Sequence, residues 1–356
     1  MAIAELQREH GPKPLALAIE TAFAAPLGGR LHVVARDSSW RLCHVAIDAR
    51  GDAGPVVDVP LASATGLVAC GEALVVSGWT AADQPAVVWL TPDGAAVSAA
   101  DVPAERPLYL WPRPVRLGGT AWLLWTAGTT GGPRIVYLAE ATGGRPRPIA
   151  FGDATEEIDA VGDGDGLWIA RVRGDGGLAL ARVSSGGEVV GERLVESSRA
   201  TAPSLASLGA EGVALAWIYE PGEARLQLFD TQLVAAAPPD LLAPPAASGP
   251  IEGVRLFAAA DGALAVTLRS RAIVGDGGTT RLADGTRAHR DPQRVTNLRV
   301  AAYDRPARRL GPAHPLEPDQ QVHAAAWVGR ALVVVHRGPT TGTQVTVFGR
   351  AHPPHG

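Results

Sequence analysis

Short apolar runs alternate with small-residue turns along this chain at a nearly fixed spacing. In Gly71–Val97, "GEALVVSGWTAADQPAVVWLTPDGAAV", the runs ALVVSGW and AVVWL flank a polar loop and are followed by a PDG turn. RIVYLA and ALVVVH repeat the pattern elsewhere, bounded by TGG, SGG and GDGG turns. Runs of this length, rich in Val and aromatic residues, read as β-strands joined by hairpins. They are apolar at successive positions rather than alternate ones. That predicts burial on both faces, as where one sheet stacks on another. No segment carries a sustained helical face, and the one helix candidate is the short stretch Ile3–His10.

The unit recurs. A short strand ends in a small-residue turn, a very apolar second strand follows, a polar loop leads to a third strand, and an Asp/Gly turn leads to a looser fourth. Copies begin near Pro26, Leu67, Val115, Ile158, Ser204, Val254 and Val322. The marker residue of each second strand falls at Leu31, Leu74, Leu123, Trp168, Leu215, Leu264 and Leu332. The intervals are 43, 49, 45, 47, 49 and 68 residues, the last lengthened by one insertion. Four strands in roughly 40–50 residues is the blade repeat of a propeller.

On these copies the chain resembles the seven-bladed β-propeller class over roughly residues 14–350. The resemblance implies an all-β ring of seven four-stranded antiparallel blades. It reaches no functional family: the Trp-Asp dipeptide of WD repeats, the regular Gly-Gly register of kelch repeats and the sialidase Asp-box are all absent. The seventh copy stops after its third strand, at Arg350. A ring must close or leave an exposed edge. The run Pro14–Glu20 precedes the first full copy and is expected to supply the missing strand. The organisation expected is a tail over 1–13, one propeller domain over 14–350 with an insertion at 270–294 in blade 6, and a tail over 351–356.

The formal net charge of −4 gives no reason to expect a nucleic-acid or membrane partner. No apolar run approaches the roughly 20 residues of a membrane helix. Lys13–Pro26 echoes a signal peptide, but Glu20 interrupts its apolar stretch, so the expectation is a cytoplasmic, monomeric protein. Lys and Asn each occur once, at Lys13 and Asn297, while Arg is abundant. That bias fits a high-GC bacterial genome, so Arg abundance alone signals no phosphate binding. The two cysteines, Cys43 and Cys70, sit in apolar runs and read as buried free thiols.

Chemical motifs are few. The GDGDG at Gly162–Gly166 invites a calcium reading, but Leu167 and Trp168 follow at once, as in a strand-to-strand turn. GDGGLA at Gly174–Ala179 fits a dinucleotide pattern on paper yet opens a strand instead of a helix. The nine histidines show no ligand spacing, and His352 and His355 lie in the terminal tail. No cofactor and no metal is expected.

The loops joining one blade to the next share a face with those joining strands two and three, and in propellers that face usually binds. The blade-to-blade segments carry Trp111, Arg113, Arg116, Glu156, Glu157, Asp159, Arg199, Glu252, Arg255, Asp319 and His323. The loop between strands two and three is short in six copies but runs from Ser270 to Arg294 in the sixth. With Arg271, Arg281, Arg287, His289 and Arg290, it reads as a basic flap with a small hairpin core.

Three functions compete. The first is a non-enzymatic scaffold that recognises a protein or a small polar or anionic ligand on the loop face. Its contacts would be Trp111, Arg113, Arg116, Arg199, Arg255 and the flap's Arg271, Arg281, Arg287, His289 and Arg290. The second is a propeller lyase, lactonase or hydrolase with His323 as general base and Glu157 or Asp319 as its partner. The third is a carbohydrate binder using Trp40, Trp79, Trp111, Trp125 and Trp217, most of which also suit packing between blades.

Overall fold

A computed structural model of the chain describes residues 6–102, 108–128, 134–153, 155–164, 166–219, 222–242, 250–274, 279–281, 287–289, 293–316, 322–337 and 342–350. They form seven antiparallel sheets arranged in a ring, with no α-helix. The inner strands of blades 1 to 7 are Ile19–Leu27, Ser63–Cys70, Leu108–Leu117, Thr155–Asp163, Ala200–Ser207, Ile251–Ala258 and Val322–Val328. Each inner strand contacts the next, and the seventh contacts the first, so the ring is closed.

All seven marker residues lie on second strands and are almost fully buried. The reason is visible in how side chains divide between faces. In blade 2, Leu74 and Val76 enter a cluster with blade 1, while Val75 enters one with blade 3. Each pair of neighbouring blades shares one such apolar cluster, and the described residues contain seven of them. A second strand is therefore apolar on both faces because a blade lies on either side. Fourth strands have a blade only at their flanks and face water at their edge. They are the least buried strands, and some are very short, as in Val57–Asp58 and Asp240–Leu241.

Closure occurs through an N-terminal strand as expected, but that strand begins earlier and shares only Pro14 and Leu15 with the run Pro14–Glu20. Leu6–Leu15 pairs antiparallel with Thr343–Arg350 as the outer strand of blade 7. Its end residues Leu6 and Leu15 are buried, and nearly everything between them is exposed. An outer strand of this kind has no hydrophobic pattern to betray it. Most of the expected 1–13 tail is therefore structure, and Leu6–His10 is strand where a short helix was expected. A lone helix of that length is unstable in water, and cross-strand pairing overrides it. The Ile19 amide donates to Thr343 Oγ1 at 3.0 Å, which ties the inner strand of blade 1 to the same seam.

The insertion in blade 6 is partly a continuation of the blade. Its second strand runs Leu264–Val274 and its third Gln293–Asp304, paired as far as Val274↔Gln293. Ser270–Val274 and Gln293–Arg294, expected in the loop, belong to this longer ribbon. Beyond it, Thr279–Arg281 pairs with Arg287–His289 as a separate two-stranded unit.

Inner strands pack so closely that one glycine is obligatory. A Cβ on Gly162, in blade 4, would fall on the Arg116 carbonyl oxygen of blade 3. The neighbouring Asp163 accepts a hydrogen bond from the Trp168 indole at 3.0 Å, as part of the hairpin turn.

A buried histidine pair sits in blade 1. His32 and His44 stack with ring centroids 5.3 Å apart, and His32 Nδ1 lies 3.0 Å from His44 Nε2. A carbonyl only accepts, so His32 Nε2, 3.1 Å from the Leu27 oxygen, carries the proton. His32 Nδ1 then accepts from His44 Nε2–H, leaving His44 Nδ1 a buried atom without a partner. Burial lowers the pKa of both rings, that of His44 to about 4. Nearby Cys43 is buried and its thiol is pushed up to about 11, chiefly by that burial; Cys70 is half-buried and also free.

Three outcomes are expected. Deleting residues 1–15 lowers the midpoint of one cooperative melting transition without creating an early minor one, measured by calorimetry. Gly162→Ala costs about 1–3 kcal/mol or more in denaturant unfolding, because it must separate two inner strands. The folded state binds fewer protons than the unfolded chain at His44, so stability falls as pH drops from 6.5 towards 4. The loss from His44 reaches up to about 3 kcal/mol, and His44→Gln makes that part of the pH profile shallower, while His32 and His323 keep their own share.

Candidate functional site

Most of the candidate residues lie on strands, where the sequence suggests connecting loops. Trp111, Arg113 and Arg116 are in the inner strand of blade 3, Glu157 and Asp159 in that of blade 4, Arg255 in that of blade 6 and His323 in that of blade 7. Pro112 and Pro114 argue against a strand, since neither can donate to a ladder. An inner strand, however, has a ladder on one side only, and here its pairing shifts between Leu110 and Arg113. Proline is tolerated at such an edge and at a bulge.

Each inner strand starts at the loop face and runs away from it. Its early residues therefore face the upper channel. Arg116 pairs with Ala121 next to the Leu117–Thr120 turn, at the opposite end, and donates to the Gly118 carbonyl at 3.2 Å. It is not part of the loop face, because it sits one residue from the far end of its strand, three residues beyond Arg113. Arg199, in a left-handed backbone conformation at φ 60°, precedes the inner strand of blade 5 and does sit at that face.

Three of the candidates converge. Arg113, Arg255 and His323 line one cavity of about 410 Å³ within the ring of inner strands. Its remaining wall is mostly small or apolar, including Phe23, Leu67 and Phe257. Arg113 is held in place: one guanidinium nitrogen donates to the Ile158 carbonyl at 2.7 Å and another lies 3.4 Å from Asp159. Burial lowers its pKa; Asp159 opposes that shift and Arg255 adds to it. Asp159 also accepts the Leu205 amide at 2.7 Å, so it bridges blades 3, 4 and 5. Arg255 has no carboxylate partner among the described residues. The nearest acidic residue on its own strand, Glu252, lies 3.3 Å from Arg271 instead.

His323 Nε2 is buried without a hydrogen-bond partner among the described residues. Its pKa is lowered to about 4 by burial, then by the charges of Arg337 and His336. Arg337, at the end of the second strand of blade 7, is a neighbour that sequence reading missed; only its position at a strand terminus could have flagged it. Glu157 accepts the Ala202 amide at 2.8 Å, and no hydrogen bond joins it to His323 among the described residues. Asp319, the other proposed acidic partner, lies outside the described residues, as does Arg290. Arg281, Arg287 and His289 are placed as backbone in the two-stranded unit beyond blade 6.

The aromatic candidates divide between core and surface, with Trp79 half-buried and the Trp111 side chain outside the described residues. Trp125 and Trp217 are buried between blades, where they fill core volume. Trp40 is 66% exposed, with the Arg36 guanidinium 4.2 Å from its ring centre. No helix among the described residues is long and apolar enough to cross a membrane.

No family model matches the sequence, and no curated protein does so either. Solved structures do match in shape. The chain is similar to the structure titled BBS1N in complex with ARL6DN, at 14% identity and a TM-score of 0.55, with 99% of this chain and 98% of that one covered. It is similar to the Dos1 propeller at 10% identity and a TM-score of 0.51, covering 95% and 94%. At these identities the likeness extends to the fold, a seven-bladed β-propeller of four-stranded antiparallel blades.

Proposed function

We propose that this propeller is a non-enzymatic binding scaffold that receives an anionic group within its central channel. The group belongs either to a protein partner or to a small polar ligand. One observation carries the reading: Arg255 and His323 face a common cavity and have no carboxylate partner among the described residues, beside an Arg113 already oriented by Asp159. A guanidinium with no internal partner in a partly enclosed site is favourable to an incoming carboxylate or phosphate. The inserted segment of blade 6, whose sequence carries Arg271, Arg281, Arg287, His289 and Arg290, and Arg199 at the mouth would extend the contact beyond the channel. The similar structure is of BBS1N in complex with ARL6DN, which supports a protein partner in general terms.

The reading is tested with citrate as a compact anionic probe. Citrate is expected to raise the melting midpoint of the wild type, and Arg255→Glu to abolish the rise. An anion beside His323 pulls its pKa upward, so affinity for an anion that stays fully ionised over the range, such as sulfate, grows as pH falls from 6.5 towards 4. A parallel capture from the parent lysate compares wild type with a variant whose residues 271–293 are replaced by a short Gly/Ser link. Citrate binding that is indifferent to Arg255→Glu, together with identical captured partners, counts against the reading.

A further inference from the structure

A larger cavity lies at the opposite end of the ring, among the turns that join strands one and two. Its volume is about 710 Å³, within the range of small-molecule sites. Its floor is the turn of blade 6, where Gly262 adopts φ 80° between Asp261 and Ala263. Apolar walls come from three blades: Leu228 of blade 5, Leu264 and Ala302 of blade 6, and Trp327 of blade 7, with Leu6 of the closing strand. The Trp327 indole is pinned by donating to the Phe257 carbonyl at 2.9 Å.

The charges around this trough are almost all committed. Arg350 lies over the Trp327 ring at 4.7 Å and holds both oxygens of Asp261, at 2.5 and 2.7 Å. That pairing drops the Asp261 pKa to about 2. On the other flank, Arg305 pairs with Glu211 across the boundary between blades 6 and 5. Asp304 is buried and accepts the Ala307 amide at 3.1 Å. The remaining lining charge is Arg330, in the turn of blade 7. It is exposed and makes no ion pair or hydrogen bond among the described residues.

An apolar trough with one uncommitted cation at its rim specifies an occupant with an apolar body and one negative head. We propose that this cavity binds a small amphipathic carboxylate, with its apolar body against Trp327, Leu228 and Leu264 and its carboxylate on Arg330. A polyanion such as a phosphate ester fits less well, because the two other rim arginines are already neutralised by Asp261 and Glu211. The inference is independent of the channel reading, since no residue lines both cavities.

The probe is 1-anilinonaphthalene-8-sulfonate, an apolar monoanion whose fluorescence reports binding, with dodecanoate as competitor. Expected are saturable one-to-one binding and displacement of the dye by dodecanoate. Arg330→Glu should weaken the dye roughly tenfold, the scale of one lost charge contact. It should leave N-phenyl-1-naphthylamine, which has the same rings without the charge, nearly unchanged. Ala263→Trp fills the trough and should remove both probes, while Arg255→Glu in the channel should alter neither. Melting curves confirm that each variant is folded, and Arg330 is exposed enough for its change to leave the fold intact. Dye binding that survives Ala263→Trp, dye affinity unmoved by Arg330→Glu, or no saturable binding at all overturns the proposal.

Discussion

Burial between adjacent blades is the interaction on which the structure depends. No blade here has a private core; each apolar cluster is assembled from two neighbours. A single sheet would expose both faces of its second strand to water. Stability therefore comes from the ring being complete, and the seam at Leu6–Leu15 and Thr343–Arg350 is what completes it. Polar groups follow the same rule. The Leu205 amide is satisfied by Asp159 of the preceding blade, the Leu256 amide by Ser204 at 3.1 Å, and the Ile19 amide by Thr343. Such bonds fix the angle between blades, because the apolar clusters alone have no directional preference.

This arrangement explains where the free chemistry sits. Inner strands use their outward edge for the ladder and donate a row of side chains to the channel. Some of those side chains are spent on holding neighbours, as with Asp159 and Glu157. Others, Arg255 and His323 among them, are left over. The distinction between a structural and an available polar group is thus a matter of which inner strand lies beside it.

What the sequence revealed tracks what burial imposes on composition. Second strands are squeezed on both sides, so Leu74-Val75-Val76 and Leu332-Val333-Val334 stand out at once, and with them the count of seven. Inner strands border a polar channel and carry prolines, so Pro112-Arg113-Pro114 resembles a loop although it is paired. The closing strand shows two buried residues in ten, which is too few for any pattern. Arg255 and His323 were legible as polar residues near a blade boundary. Their convergence with Arg113 was not, because it joins positions of blades 3, 6 and 7 through the ring's curvature. The cavity around Trp327 left no trace in the sequence, since its walls are ordinary core residues and its chemistry is one surface arginine.

The closing seam has a consequence for how the protein is made. Leu6–Leu15 meets a partner more than three hundred residues further along the chain. During synthesis every blade but the last has emerged while Leu6–Leu15 is still unpaired and blades 1 and 6 still expose the apolar faces that blade 7 covers. Those surfaces are the ones most able to recruit a second nascent chain. Substitutions in the last strand should thus be felt first as loss of soluble yield, before any effect on the finished molecule.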